Sequence, residues 1–246
     1  MNERIGDAFL EGTKYRNLGP SDQQQGVAHP TLYSVLCDGR RITLPSPQAL
    51  DLGSMGLREA IETRRSFRNY AEEPLALEEL SFLLWCSQGV KPESTDKNTI
   101  RTVPSAGARH AFETLLLINR VDGLEPGLHQ YDAAAHGLIQ RESPVDIAEQ
   151  LTAACLNQPI VRNSAATFIW VAERYRMAWR YGERGIRYLF LDAGHVCQNL
   201  YLAAESIAAG ACAIGAFTDD EVNQLLGLDG IDRFVVYMAG VGKRES

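Results

Sequence analysis

Three arginines and one serine lie close together in this chain, at Arg64, Arg65, Ser66 and Arg68. An arginine holds a phosphate with a planar fork of N–H donors, and a neighbouring serine hydroxyl adds one more donor. The preceding residues 56–63 have an amphipathic pattern, which would place the cations at the end of a helix. In an acidic chain this cluster predicts a bound anion, and a solvated helix end is the open alternative.

Two segments rich in small residues predict places where a backbone approaches a ligand closely. Residues 104–110, which include Pro104, Ser105 and Gly107, lead directly into an apolar run, although a simple tight turn would use the same residues. Residues 210–217 carry almost no side-chain volume. We expect them to form a bare loop on which a flat aromatic ligand can lie.

Two more cations, Lys243 and Arg244, follow the last apolar run and are positioned to close on a phosphate. Competing motifs are weak. The glycines of 210–215 lack the three-glycine dinucleotide spacing, and the histidines share no metal-ligand spacing, so we predict no metal site. His195 lies in a helical pattern, and we interpret it as a hydrogen-bonded core or interface residue in preference to a catalytic base.

The composition argues against several classes of protein. The chain has 246 residues and a formal net charge of -7, and its basic residues are sparse outside the arginine segment (residues 64–68), which argues against nucleic acid and anionic membranes as partners. No apolar run reaches the roughly 20 residues of a membrane helix, and the first residues do not resemble a secretory signal. Five widely spaced cysteines indicate free thiols in a reducing compartment, so we expect a cytoplasmic protein.

The pattern along the chain predicts an α+β protein in which helices pack a sheet. Residues 1–54 are interpreted as an irregular arm that wraps the body or a partner, and residues 55–246 as the main domain. Nearly continuous apolar runs predict central strands covered on both faces, at residues 112–119, 165–172 and 233–240. Helical periodicity and end signals predict helices at residues 77–88, from 189 to 207, and after a capping box at 218–221.

In this order the segments resemble the nitroreductase superfamily of flavin enzymes, and within it the branch of SagB-type and ThcOx-type dehydrogenases. These are the azoline oxidases of thiazole and oxazole peptide biosynthesis. The likeness covers nearly the whole chain and also includes residues 12–15, 42–45, 181–188, 193–200 and 225–228. It implies a nitroreductase-like fold, with a central, mostly antiparallel sheet flanked by helices. It also implies an FMN-binding homodimer with the long helix and two flavins at the subunit interface.

The resemblance further implies which residues bind the FMN. It assigns the phosphate to Arg64, Ser66, Lys243 and Arg244, and the ribityl chain and N1/O2 edge of the ring to Arg65 and Arg68. It implies that three small residues reach the flavin from the other subunit: Pro104, Ser105 and Gly107. It assigns the pyrimidine edge to Gln158, and the vicinity of N5 to backbone groups of Ile214 and Gly215.

In the azoline oxidase branch a Lys-Tyr pair removes a proton from carbon while hydride leaves to the flavin. The corresponding place in this chain is Arg180-Tyr181, and the departure matters because arginine stays protonated at any working pH. Tyr181 then remains the candidate proton carrier, with an ordinary pKa near ~10 that would need lowering. The alternative is that Arg180 and Tyr181 are structural surface residues.

The expected function is therefore an FMN-dependent oxidoreductase that oxidises an azoline or related heterocycle in a modified peptide, with oxygen reoxidising the flavin. One alternative is an NAD(P)H-dependent reductase of nitro or quinone compounds. Another is a catalytically inactive, flavin-free partner in a biosynthetic complex. The expected partners are a second copy of the chain and a small-molecule or peptide substrate, without nucleic acid or membrane.

Overall fold

A seven-stranded sheet organises the computed structural model, which describes residues 4–95 and 98–245. The strand order is β1-β4-β3-β2-β5-β7-β6, and every neighbouring pair is antiparallel. The strands are β1 Arg41–Thr43, β2 Phe112–Ile118, β3 Gly127–Asp132, β4 Gly137–Gln140, β5 Ala166–Glu173, β6 Ala209–Ile214 and β7 Arg233–Lys243. The predicted fold class, α+β with a mostly antiparallel sheet, is confirmed.

Helices cover both faces of this sheet. They are α1 Ile5–Gly12, α2 Leu57–Thr63, α3 Leu77–Gln88, α4 Ile147–Ala154, α5 Ile160–Asn163, α6 Arg174–Tyr181, α7 Gly185–Ser206 and α8 Asp219–Leu225. One apolar cluster joins α3 and α7 to the sheet, and a second joins α4, α5 and α8 to its other face. Strands β2, β5 and β7 lie between these layers, which explains why their sequences are apolar on both sides. None of these helices, within the described ranges, is both long and apolar enough to cross a membrane.

The long helix α7 begins four residues before the predicted Leu189. Its buried stripe includes Leu189, Val196 and Leu200, which pack on the sheet. A second stripe, with the same helical spacing, lies on the opposite side of the helix and faces outward. Its residues are all exposed: Phe190, Leu191, Gly194, His195 and Gln198. His195 therefore faces away from the core, and it is not the buried core residue that one of our interpretations allowed.

Residues 210–217 do not form the bare loop that we expected. Residues 209–214 are the edge strand β6, which pairs with β7 from Ala209↔Lys243 to Ile214↔Met238. The small residues serve packing inside the protein, because a Cβ atom on Gly210 would lie 2.8 Å from the ring of Phe67. The glycine thus makes room for an aromatic side chain of the chain itself.

The capping box predicted at residues 218–221 is also wrong in its detail. Helix α8 does begin directly after Thr218, and its first hydrogen bond runs from Val222 N–H to Thr218 O at 3.0 Å. The Thr218 side chain, however, makes no capping hydrogen bond. Three acidic residues in the first turn, Asp219, Asp220 and Glu221, supply the favourable charge at this helix end instead.

The arm contains regular structure, including α1 and the edge strand β1. Between α1 and β1, extended arm residues bind buried polar groups of the body. Ser34 N–H donates to Glu113 Oε1 at 2.8 Å, and Leu36 N–H donates to Gln130 Oε1 at 2.7 Å. Glu113 in turn pairs with the buried Arg176 at 2.6 Å. These contacts satisfy backbone donors that extended chain would otherwise leave without partners.

We predict that Gly210→Ala destabilises the protein by about 1–3 kcal/mol, because the added methyl group would have to displace the Phe67 ring in a packed region. Urea unfolding of the variant and the wild type measures the difference. Gly19→Ala is the matched control, since Gly19 lies outside the helices and strands and a Cβ there would have no neighbouring atom within 4 Å. Equal unfolding midpoints for Gly210→Ala and the wild type would contradict the packing role of this glycine.

Candidate functional site

The arginine segment is attached to the edge of the sheet. Helix α2 ends at Thr63, and the chain then runs beside β6, where Ser66 forms a parallel bridge with Ala211. Phe67 N–H donates to Ala211 O at 2.9 Å. The ring of Phe67 fills the space beside Gly210, so both backbone and side chain fix the segment.

Tyr201 of helix α7 contacts two predicted site residues. The Arg64 guanidinium carbon lies 5.2 Å from the centroid of the Tyr201 ring, and Ser66 Oγ lies 3.0 Å from Tyr201 Oη. The same phenol oxygen accepts a hydrogen bond from Ala213 N–H at 2.8 Å. Tyr201 thus ties the arginine segment to both α7 and β6. Our sequence analysis did not single it out.

Three guanidinium groups in this segment have no acidic partner within the described part of the chain. Across residues 4–95 and 98–245, no hydrogen bond or ion pair links the side chains of Arg64, Arg65 or Arg68 to a carboxylate. Arg64 is half-buried, and Arg65 and Arg68 are exposed. The three charges belong to one backbone segment of five residues, and an anion bound beside that segment would be attracted by all of them.

The two C-terminal cations are engaged differently. Lys243 Nζ lies 2.5 Å from Glu79 Oε1, and Arg244 pairs with Glu205 and donates to Ala209 O at 3.0 Å. Both carboxylates are buried, and a buried carboxylate needs such a cation. Lys243 is therefore directed toward Glu79.

Arg244 remains close to the arginine segment despite its ion pair. Its guanidinium carbon lies 5.6 Å from the centroid of the Phe67 ring, and the guanidinium carbon of Arg65 lies at the same distance from that ring. The structure thus brings Arg64, Ser66 and Arg244 together around two aromatic rings. Neither Glu79 nor Glu205 was predicted, because each lies far in sequence from the cation that it binds.

Gln158 and Arg68 line the same cavity, of about 350 Å³, beside β6. The Gln158 side-chain amide donates to Cys155 O at 2.9 Å and to Ala216 O at 2.7 Å. It therefore holds the segment that follows β6. In that segment Gly215 is exposed. The side chain of Ile214, the last residue of β6, is buried in the core, which leaves only its backbone for a ligand.

Ser105 is held by a buried aspartate that the sequence analysis missed. Ser105 Oγ donates to Asp192 Oδ2 at 2.6 Å, and Ala106 N–H donates to Asp192 Oδ1 at 3.1 Å. His110 N–H in turn donates to Ser105 Oγ at 2.9 Å. Burial raises the pKa of Asp192 above its ordinary value, and the hydrogen bonds from Ser105 and Ala106 oppose that rise.

The same loop contacts the candidate catalytic pair. Gly107 has φ 58°, in the left-handed region that favours glycine. A Cβ atom there would collide with Tyr181 Oη and would lie 2.9 Å from Arg180 Nε. The Arg180 guanidinium carbon is 5.6 Å from the centroid of the Tyr181 ring. Arg180 and Tyr181 therefore lie with Ser105 and Gly107, and Pro104 is exposed at the start of this loop.

Within one chain the predicted residues form two separate groups. The first group contacts α7 at Tyr201, and the second contacts it at Asp192, nine positions earlier, which is about 13.5 Å along a helix axis. The sheet gives the same picture. Across the sheet, Ala211 (the partner of Ser66) is in register with Ile118 at the end of β2. The Ser105 loop instead leads into Phe112 at the start of β2. The two ends of β2 are about 20 Å apart.

Comparison with known proteins gives a family. The model described as "Nitroreductase family" matches residues 61–243. A Methanocaldococcus jannaschii protein named as a nitroreductase is 35% identical over 189 residues, which cover 77% of this chain and 90% of that protein. The trifolitoxin-processing protein TfxB of Rhizobium leguminosarum bv. trifolii is 28% identical over 140 residues, 55% of this chain and 38% of TfxB.

Solved structures share the fold. A nitroreductase-like protein of Anabaena variabilis has a TM-score of 0.65 at 32% identity; the match covers 77% of this chain and 38% of that chain. A chain of the E. coli microcin synthetase McbBCD complex, which has truncated pro-MccB17 bound, has a TM-score of 0.64 at 17% identity. That match covers 97% of this chain and 86% of the other.

We predict that Asp192→Asn changes how stability depends on pH. Because the folded pKa of Asp192 is raised, the folded chain holds a proton that the unfolded chain releases from its ordinary pKa of 3.8 upward. The wild type should therefore lose stability relative to Asp192→Asn as pH rises from 3.8 through the folded pKa. Urea unfolding of both proteins across this range measures the difference, and parallel pH curves would contradict the raised pKa.

Proposed function

We propose, from the premise that this chain belongs to the nitroreductase family of oxidoreductases, that it is an FMN-dependent dehydrogenase of the SagB/ThcOx type. Its substrate would be an azoline or related heterocycle in a modified peptide. The observation that carries the proposal is a set of three guanidinium groups, at Arg64, Arg65 and Arg68, that have no carboxylate partner among the described residues. They lie at the sheet edge beside the Ser66 hydroxyl.

This donor set fits the phosphate of FMN. A phosphate dianion needs several cationic N–H donors and tolerates a hydroxyl donor, and Arg64 and Ser66 would supply both. Arg244, which lies against the same Phe67 ring as Arg65, would add N–H groups only while it also keeps its pair with Glu205. Lys243 would contribute less to phosphate binding than we expected, since Glu79 already binds its ammonium group at 2.5 Å. Arg65 and Arg68 would lie toward the ribityl chain and the ring.

Strand β6 would position the remainder of the cofactor. Gly215 lies four residues beyond Ala211, about 13 Å along an extended strand, and its exposed backbone would face the ring near N5. Gln158 shares a cavity with Arg68 and holds Ala216, so it would fix this segment and offer its amide oxygen to the pyrimidine edge. Bound FMN supplies a hydride acceptor at N5.

We further propose a homodimer in which each site uses both chains. The Ser105 loop of one chain cannot reach the arginine segment of the same chain across about 13.5 Å of helix, so a partner would bring its own loop there. The outward stripe of α7 supports this arrangement. Its Phe190 and Leu191 are 55% and 59% exposed, which is a poor state for adjacent large apolar side chains in water.

Tyr181 would move the proton, and Arg180 would not. Arginine does not deprotonate in proteins, so Arg180 can stabilise a nearby phenolate but cannot accept a proton itself. Tyr181 Oη is held against the Gly107 loop, which gives the phenol a defined position. The chain's own contribution to the reaction is then to orient the substrate carbon and to hold the proton at Tyr181 Oη.

Two of the compared proteins support a peptide substrate. TfxB is named for processing trifolitoxin, and the microcin synthetase complex contains a truncated pro-peptide. The M. jannaschii protein, which is more similar to this chain, is instead named as a nitroreductase, and it favours the alternative of an NAD(P)H-dependent reductase. A flavin-free partner of a biosynthetic complex is the third possibility.

Anaerobic stopped-flow reduction separates the two enzymatic functions. We expect the dehydrogenase to leave its FMN oxidised after NADPH addition and to show negligible NADPH oxidation with a nitroaromatic acceptor. Its FMN should be reduced when a peptide that contains an azoline is added. Prompt reduction by NADPH would support the reductase and overturn the peptide function.

We predict that Arg64→Ala weakens FMN binding by roughly 2–3 kcal/mol, because it removes a charge-assisted contact to phosphate. This corresponds to a dissociation constant about 30- to 150-fold higher, measured by quenching of flavin fluorescence. Arg58→Ala is the matched control, since Arg58 lies on the neighbouring helix α2, is exposed and pairs with Glu62. Equal dissociation constants for Arg64→Ala and the wild type would refute the phosphate role.

We predict that Tyr181→Phe lowers turnover by about 10²- to 10⁴-fold, the usual contribution of a positioned acid or base. The FMN content of the variant should stay at the wild-type level, since the hydroxyl is not needed to hold the cofactor. Steady-state turnover and the flavin absorbance of the same preparation provide both readings. A variant that turns over at the wild-type rate would remove Tyr181 from the reaction.

A further inference from the structure

A cavity of about 720 Å³ lies between the N-terminal arm and the end of helix α6. Arm residues form one wall, including Tyr15, Pro20, Gln23 and Gln24, and Arg180 and Tyr181 form the other. Arg180 is the one charged group among the described residues that line this cavity. The remaining lining is neutral, with hydroxyl, amide and aromatic groups.

The arm wall is fixed at its first end by two arginines that follow α6 in the chain. Arg184 Nη1 donates to Thr13 O at 2.8 Å, and Arg187 Nε donates to Thr13 Oγ1 at 2.6 Å. Tyr15 Oη lies 2.9 Å from Tyr188 Oη, and the Arg184 guanidinium carbon lies 4.3 Å from the Tyr15 ring centroid. These contacts within the chain hold the wall in place without a ligand.

The second end of the wall is attached to α6 itself. Gln23 N–H donates to Trp179 O at 2.9 Å, directly before Arg180 in the chain. Tyr175 Oη donates to Asp22 Oδ2 at 2.8 Å. The arm thus passes beside Arg180 and, among the described residues, makes no ion pair with it. Asp22 is the one acidic side chain in these contacts, and it accepts its hydrogen bond from Tyr175.

Arg180 has no anionic partner in the part of the chain that the structure describes. The nearby acids are occupied, since Glu183 lies 3.4 Å from Arg174 and Glu11 pairs with Lys14 and Arg16. The pKa of the neighbouring Arg109 is lowered first by burial and next by the charge of Arg180.

We propose that this cavity binds a carboxylate group of the substrate peptide, which forms an ion pair with Arg180. A guanidinium group binds a carboxylate through two parallel hydrogen bonds, and it remains charged at every working pH. The inference rests on the proposed function in taking this cavity as the substrate site. It explains why an arginine stands beside Tyr181: the arginine selects an anionic substrate, while the tyrosine handles the proton.

The carboxylate has two sources, an acidic side chain or the C-terminus of a peptide, and calorimetry with three acetylated peptides distinguishes them. Acetyl-Gly-Glu-Gly-amide presents a side-chain carboxylate, acetyl-Gly-Gln-Gly presents a C-terminal carboxylate, and acetyl-Gly-Gln-Gly-amide is neutral. We expect one anionic peptide to bind about tenfold more tightly than the neutral one, a modest ratio because Arg180 is exposed to solvent.

Three variants assign this preference to one side chain. Arg180→Gln should reduce the preference to about twofold or less, and Arg180→Lys should keep only part of it, because the charge remains while the paired N–H donors are lost. Arg40→Gln, which removes an exposed arginine elsewhere on the chain, should leave the preference unchanged. Thermal unfolding of each variant confirms that it is folded.

The preference is measured with and without added FMN, so that the two proposals fail separately. Binding of FMN without any preference for carboxylate, or a preference that survives in Arg180→Gln, would overturn the inference alone. The absence of binding by all three peptides would overturn it as well. A carboxylate preference that depends on Arg180 in a protein that takes up no FMN would support this site and overturn the flavin function.

Discussion

The attachment of the arginine segment to strand β6 is the constraint on which the candidate site depends. The hydrogen bond from Phe67 N–H to Ala211 O and the fit of the Phe67 ring beside Gly210 fix the backbone between them. Because that backbone is fixed, Arg64, Arg65 and Arg68 cannot move far apart, although their charges repel one another. A bound phosphate would stabilise this arrangement, and among the described residues no carboxylate does so.

Helix α7 sets the distance between the two groups of site residues. Tyr201 holds the arginine segment, and the buried Asp192 holds Ser105 and its loop nine positions earlier. A helix of 22 residues packed on the sheet is stiff, so this spacing does not close within one chain. The exposed Phe190 and Leu191 lie on the outward stripe of the same helix. A dimer through this stripe would therefore cover apolar surface and complete the two sites together.

Much of the fold could be predicted from local pattern. The apolar runs gave β2, β5 and β7 within a few residues, and helical periodicity gave α3 and α7. Strand β6 was missed because Gly210 and its small neighbours look like a loop. Gly210 is small because it packs against the ring of Phe67. Phe67 lies more than a hundred positions away in sequence, and no local pattern records such a contact.

The site could be predicted only in part for the same reason. The arginine segment can be recognised in the sequence because its residues are adjacent. Glu79 and Glu205, which form ion pairs with Lys243 and Arg244, come from helices that are distant in sequence. Asp192 left one usable signal, since it is an acidic residue on the apolar stripe of α7. A charge in that place indicates a buried partner, although the sequence does not name Ser105 as that partner.

The most direct test of the account is gel filtration of the purified protein after incubation with FMN, with absorbance recorded across the eluted peak. The account predicts flavin absorbance near ~450 nm that co-elutes with a dimer, at one FMN for each chain. A colourless protein would contradict the assignment of the arginine segment to the flavin phosphate. Flavin bound at full stoichiometry to a monomer would contradict a site built from two chains.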